Sequence, residues 1–300
     1  MPATKLFSGV FTAIVTPFQQ NGSLDLSAFS KLVDHQLAQG IDGIVVCGST
    51  GEGMTLTDGE RATLVECCVK QVAGKIPIIA GAGHSNTSIA CTLQKQMGDL
   101  GAAATLHVTP WYNKPPQEGL FRHYQAIAAV NDLPIILYNI PSRTGCDLAP
   151  ATILRLAKEF PSIVGLKESN LDPIRLQTLL SELKKIRPDF SVLSGEDGFI
   201  LPLLAMGGQG VICVSSNLAP KTVCDMVQAY RQGQLDKAQT IADRLASLAA
   251  LMFFRTNPIP VKSALHLGGY LQNSFRLPLC PLNDEDMGHL KSQLQSEGWL

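Results

Sequence analysis

Short runs of apolar and β-branched residues recur along the first two-thirds of the chain. They read FTAIV (11–15), GIVVC (43–47), PIIAG (77–81), TLHVT (105–109), PIILY (134–138), IVGLK (163–167), SVLSG (191–195) and GVICV (210–214). The runs are continuous where a half-buried strand would alternate, so both faces are covered, as in parallel strands flanked by helices. Between them the apolar positions change to helical spacing, for example Leu32, Val33, Gln36 and Leu37, then Leu64, Cys67, Cys68 and Val72. Thr57 with Glu60 has the form of a capping box, in which each side chain satisfies an amide of the other's turn. Successive runs begin 28 to 34 residues apart, with 19 before the last, close to the βαβ repeat of about 30 or more. Eight such units predict an α/β fold, a closed (β/α)8 TIM barrel.

A six-stranded dinucleotide-binding sheet is the main rival, and it needs a GxGxxG turn between a strand and a helix. GSTGEG (48–53) has the wrong glycine spacing, and GGQG (207–210) precedes a strand instead of following one. After Val214 the strand pattern stops, and helical spacing is predicted at 219–232, 235–254, 259–267 and 284–296. Residues 1–230 are therefore expected to form the catalytic barrel and 231–300 a C-terminal helical domain.

Composition narrows the function. Lys and Arg number 24 against 25 Asp and Glu, and charged residues are 16% of the chain. There is no basic excess for nucleic acid or for an anionic membrane surface. The stretch from Phe199 to Val214 is broken by Pro202, Gly207, Gly208 and Gly210, too short a span for a bilayer. FSGVFTAIVTPFQ behind Lys5 has the look of a signal core, but no small-residue cleavage site follows. The 8 cysteines form no CxxC pair and no zinc spacing with histidine, and His84 and His107 are isolated. A reduced cytoplasmic protein without a catalytic metal is expected.

In a barrel of this type the chemistry sits at the C-terminal ends of the strands. Those ends read Thr16-Pro17, Gly48 to Glu52, Thr109 to Asn113, Tyr138 to Gly145, Lys167-Glu168-Ser169 and Ser194 to Asp197. Lys167 closes a run expected to be buried. It either reaches solvent and pairs with Glu168, or serves as a Schiff-base nucleophile, whose amine burial would help to deprotonate. Arg143 follows a proline-restrained turn; it either clamps a substrate carboxylate or pairs with Asp147 or Glu168. Tyr138 is either a core-edge residue or a proton carrier. Ser49-Thr50-Gly51-Glu52 offers hydroxyls and successive amides for a carboxylate, in residue types that also make ordinary turns. A keto acid needs an amine, a carboxylate cradle and a proton relay, and strand ends supply all three.

At GSTGE (48–52), YNIPSRTG (138–145), GLKES (165–169) and NPIPVK (257–262) the chain resembles the dihydrodipicolinate synthase/N-acetylneuraminate lyase family of pyruvate-dependent aldolases, from about residue 7 to the C-terminus. The arginine of SRTG is similar to the synthase branch, and sugar-acid aldolases generally differ there. The resemblance implies that Lys167 forms an imine with pyruvate, whose carboxylate Ser49 and Thr50 hold. It implies a relay of Tyr138, Thr50 and Tyr112, the last reaching in from a neighbouring subunit. Arg143 would take the carboxylate of L-aspartate-4-semialdehyde, and Gly195 and Ile212 would offer backbone contacts near the pyruvate. The implied reaction is the condensation of these two substrates in diaminopimelate and lysine biosynthesis, by a homotetramer built from dimers, with the imine nitrogen as electron sink and so without metal or organic cofactor. Another pyruvate aldolase, of the keto-sugar-acid or sialate lyase type, and a non-catalytic carboxylate-binding barrel are the alternatives. Ser49 stands where the family often has threonine. The segments matching the family's lysine-feedback site read Gly53-Met54, Asp58, Arg61, Ser85 and Ile89. Ile89 replaces an acidic partner for the inhibitor's ammonium, so inhibition by lysine is expected to be weak or absent.

Overall fold

The computed structural model describes residues 7–300; Lys5, the basic residue of the export reading, lies outside them. Each apolar run forms a strand: β1 (Gly9–Ala13), β2 (Gly43–Val46), β3 (Ile78–Gly81), β4 (Ala104–Val108), β5 (Ile135–Asn139), β6 (Ile163–Glu168), β7 (Ser191–Ser194) and β8 (Gly210–Cys213). They follow one another in chain order around a closed barrel. Nearly every strand residue is buried, which is why the runs read as continuous rather than alternating. β1 begins two residues before its apolar run, because the Gly9 amide already donates to Gln209 O at 3.0 Å. Gly210 faces that junction at φ +153°, and a Cβ on it would stand 1.9 Å from Gly9 O, so only glycine fits there.

Helices follow the strands: α1 (Leu26–Ala38), α2 (Asp58–Val72), α3 (Thr87–Asp99), α4 (Gln117–Ala128), the single turn α5 (Pro141–Thr144), α6 (Pro150–Glu159), α7 (Pro173–Ile186), α8 (Ile200–Ala205) and α9 (Pro220–Arg231). Beyond them come α10 (Leu235–Phe253), α11 (Ile259–Leu267) and α12 (Asp284–Ser296). The capping box expected at Thr57 and Glu60 opens α2 with both of its bonds formed. Proline at the first turn starts α6, α7 and α9, where its missing N–H would have had no helical partner. No helix among the described residues is long and apolar enough to cross a membrane.

The described residues pack as two compact units, one built of residues 7–9 and Ile79–Ile212, the other of Val10–Ile78 with Cys213–Leu300. In the first, Leu120, Tyr124 and Ile127 of α4 meet Ile135 and Leu137 of β5, Ile153 and Leu156 of α6, and Leu176, Leu179 and Leu183 of α7. Burying each such side chain contributes roughly 1.5–3 kcal/mol. In the second unit, the β1 side chain Thr12 donates to Gln36 Oε1 of α1 at 2.7 Å, and Gln36 Nε2 donates to Ser216 O at 3.0 Å. Asn217 locks the same end of β1, donating to Ala13 O at 2.8 Å and accepting from the Val15 amide at 3.1 Å.

Candidate active site

In the first unit, the β5–β6 register sets Tyr138 directly beside Lys167. Lys167 is only 6% exposed, and its Nζ lies 4.3 Å from the centre of the Tyr138 ring. Among the described residues Lys167 makes no ion pair, and the carboxylate beside it in sequence is already engaged. Glu168 accepts from Arg175 Nη1 at 2.6 Å, from Asn139 Nδ2 at 2.8 Å and from the Asn170 amide at 2.8 Å. Burial raises the Glu168 pKa, and the Arg175 charge opposes that shift.

Arg175 comes from the first turn of α7, whose N-cap Asp172 accepts from the Ile174 and Arg175 amides. Its Nη2 donates to Leu148 O at 2.6 Å and lies 3.6 Å from Asp147 Oδ1. The two carboxylates considered as partners of Arg143 and Lys167 are thus gathered by Arg175, a residue the sequence reading passed over. A cation in the first turn of an amphipathic helix carries no signal of its own. The network ties the ends of β5 and β6 together and leaves the Lys167 amine without a carboxylate from its own strand.

Gly195 follows β7, and its amide donates to Glu168 O at 2.8 Å. A Cβ there would lie 2.1 Å from Ser169 Oγ and 3.2 Å from Lys167 Cε, so the absence of a side chain is what leaves room at the amine. Glu196 comes next, its pKa raised by burial and held back by the Lys167 and Arg143 charges, which places it in their electrostatic neighbourhood. Arg143 stands exposed on α5, behind the buried Tyr138 and Asn139. Ile212 is fully buried on β8. Tyr112 is different: at 92% exposure and φ +75° it projects from its loop, the backbone held by its amide donating to Thr144 O at 3.2 Å.

The second unit carries the GSTGE turn. Ser49 is exposed and Thr50 buried, and Cys47 and Glu52 both adopt left-handed φ, +59° and +52°. The Glu52 and Gly53 amides donate back to Ser49 O and Gly48 O at 3.1 and 3.0 Å. This narrows the expected cradle to the two hydroxyls and the amides before Glu52.

The turn is braced from behind. The Glu52 carboxylate pairs with Lys262 of α11, both side chains wholly buried, and Lys262 Nζ also donates to Ser274 O at 2.8 Å. Burial lowers the Lys262 pKa while Glu52 opposes the shift. Removing one member of such a pair costs about 3–5 kcal/mol. Arg61 Nη2 donates to Gly53 O at 2.7 Å from the α2 side, and Asn257 Nδ2 donates to Thr50 Oγ1 at 3.0 Å. Asn257 and Lys262 belong to the NPIPVK motif, which served as a marker of resemblance without a role for either side chain.

His107 is part of the supporting structure. His107 Nε2 meets Gln94 Oε1 at 3.0 Å, and burial drives its pKa down to about 3. Ser85 exchanges hydrogen bonds with the Trp111 backbone, and Ile89 is exposed on α3. The cysteines are free, with Cys47 pushed up to about 12 by burial.

A parallel eight-stranded α/β barrel that buries a lysine at the end of its sixth strand, against a tyrosine of the fifth, defines the class. Comparison with known proteins makes it specific: residues 6–297 match the dihydrodipicolinate synthetase family, and the chain belongs to it. The chain is 46% identical over 295 residues to the 4-hydroxy-tetrahydrodipicolinate synthase of Thermotoga neapolitana, covering 98% of this chain and 100% of that one. It superposes on the crystal structure of dihydrodipicolinate synthase from Thermotoga maritima with a TM-score of 0.96, at 44% identity and 98% and 100% coverage. It is also similar to the chloride-inhibited dihydrodipicolinate synthase of Acinetobacter baumannii complexed with pyruvate, at a TM-score of 0.93, 40% identity and 98% and 99% coverage.

Proposed function

We propose that this enzyme is a 4-hydroxy-tetrahydrodipicolinate synthase, a lyase of lysine and diaminopimelate biosynthesis that condenses pyruvate with L-aspartate-4-semialdehyde through a Schiff base on Lys167. The observation that carries the reading is Lys167 itself: a buried amine with no ion pair among the described residues, seated against Tyr138 in a barrel of this family. The A. baumannii relative, described in complex with pyruvate, supports the first substrate.

The Lys167 amine adds to the pyruvate keto carbon and water leaves, forming the imine. Loss of a methyl proton gives the enamine, with the imine nitrogen as electron sink. The enamine carbon attacks the aldehyde carbon of the second substrate, and the new alkoxide takes a proton. The amine of that substrate then attacks the imine carbon, displaces the Lys167 amine and closes the ring.

Ser49 and Thr50 hold the pyruvate carboxylate in this scheme, and Gly195 and Ile212 present backbone to it. Tyr138, Thr50 and Tyr112 carry the protons, and Arg143 receives the carboxylate of the semialdehyde in bidentate fashion. Tyr112, exposed on its own chain, acts in the site of a neighbouring copy within a cytoplasmic homotetramer of paired dimers.

Borohydride reduction in the presence of pyruvate, followed by peptide mass spectrometry, tests the mechanism. The expected result is a reduced pyruvate adduct on Lys167 alone, and an unmodified Lys167 would overturn it. Turnover with aspartate semialdehyde but not with keto-sugar acids separates the synthase from other pyruvate aldolases.

A further inference from the structure

Thr50 is 3% exposed, and the described hydrogen bond to its hydroxyl comes from Asn257 Nδ2, at 3.0 Å. Asn257 is itself buried and lies 207 residues away in the chain, just before α11. A hydroxyl has one proton to give and two lone pairs to receive. An amide N–H donates and cannot take a proton back, so the contact fills one lone pair and leaves Thr50 one proton to give and one lone pair to receive.

We infer that Asn257 is a positioning residue that gives the Thr50 hydroxyl its direction, as a donor on one side and an acceptor on the other. The inference rests on the relay role proposed for Thr50 and adds what reserves the hydroxyl's remaining proton and lone pair for that relay. With the amide in place no proton is lost into the scaffold behind the turn. The fixed geometry of the turn supports the contact, because Glu52, two residues on, is held by Lys262 of the same NPIPVK segment. Of the charged groups on this side, Glu52 pairs with Lys262 and accepts from the Arg276 amide, Arg276 pairs with Glu60, and Arg61 donates to Gly53 O.

The isosteric variant N257D tests this through its pH profile. An ionised carboxylate would accept the Thr50 proton and reverse the hydroxyl, whereas the protonated acid can donate as the amide does. The kcat of N257D is expected to lie at least about tenfold below wild type at about pH 8. Its ratio to wild type should rise several-fold as pH is lowered to about 6, as a buried acid takes up its proton. A ratio that is flat with pH, or a kcat within about twofold of wild type throughout, would overturn the inference.

Should N257D fail to fold, as judged by thermal melting, N257A serves in both the wild-type and T50V backgrounds. A loss of about tenfold in the first and none in the second supports the orienting role; equal losses in both overturn it. Wild-type trapping of pyruvate by borohydride separates the two levels. If it fails at Lys167 the Schiff-base reading falls, and if it succeeds while the pH signature is missing only the Asn257 role falls.

Discussion

Arg143 lies on a single helical turn begun by Pro141, and the nearby carboxylates Asp147 and Glu168 are engaged by Arg175. In the proposed reaction a guanidinium so placed would recognise the second substrate and take no part in forming the imine. Arg143→Ala is therefore expected to keep the borohydride-trapped pyruvate adduct while kcat/KM for the semialdehyde falls about 100-fold. Loss of trapping in this variant would reassign the residue. Lys167 and Tyr138 could be singled out from sequence because polar groups closing apolar runs stand out against their surroundings, whereas Thr50, in a turn of generic residue types, was marked by the family resemblance. Arg175 and Asn257 could not be singled out. Arg175 sits among ordinary helical polar residues, and the role of Asn257 rests on a contact made across 207 residues of chain.

The strands were legible because burial on both faces leaves an unbroken apolar run, and the last four helices because their periodicity is undisturbed by strand signals. The end of β1 was less so. Ile14 and Val15 continue the apolar run but leave the strand, the Val15 amide turning to Asn217. The packing of β4 against its helices also has a consequence for acid stability. His107 on β4 and His123 on α4 are buried, and burial lowers their pKa values from 6.5 to about 3 and about 4. On acidification the unfolded chain takes up these protons first. Stability that is complete above pH of about 6.5 is therefore lost progressively as pH falls towards about 3. Melting temperatures of wild type and His107→Gln, measured across that window, should show the variant losing less on acidification. Parallel curves would show that the histidine contributes nothing to the slope.

At the scale of the whole molecule, the formal net charge of −1 provides no field to draw in carboxylate substrates. In the proposed scheme capture falls to a few placed groups, chiefly Arg143 and the Ser49-Thr50 turn. The proposed relay residue Tyr112 projects at 92% exposure from a left-handed backbone position. A tyrosine that serves a neighbouring copy predicts complementation. Lys167→Ala and Tyr112→Phe, each nearly inactive alone, should regain activity when mixed under conditions that let subunits exchange. Only the hybrid joins an intact lysine to the other subunit's tyrosine, and an absence of recovery in verified hybrids would place Tyr112 in its own site.

The pair of Lys262 and Glu52 behind the GSTGE turn is wholly enclosed by protein. Dissolved ions screen exposed charges over about 8 Å at physiological ionic strength, but they act far less on a pair from which water is excluded. The turn that presents Ser49 and Thr50 therefore keeps its shape in concentrated brine as it does in dilute buffer.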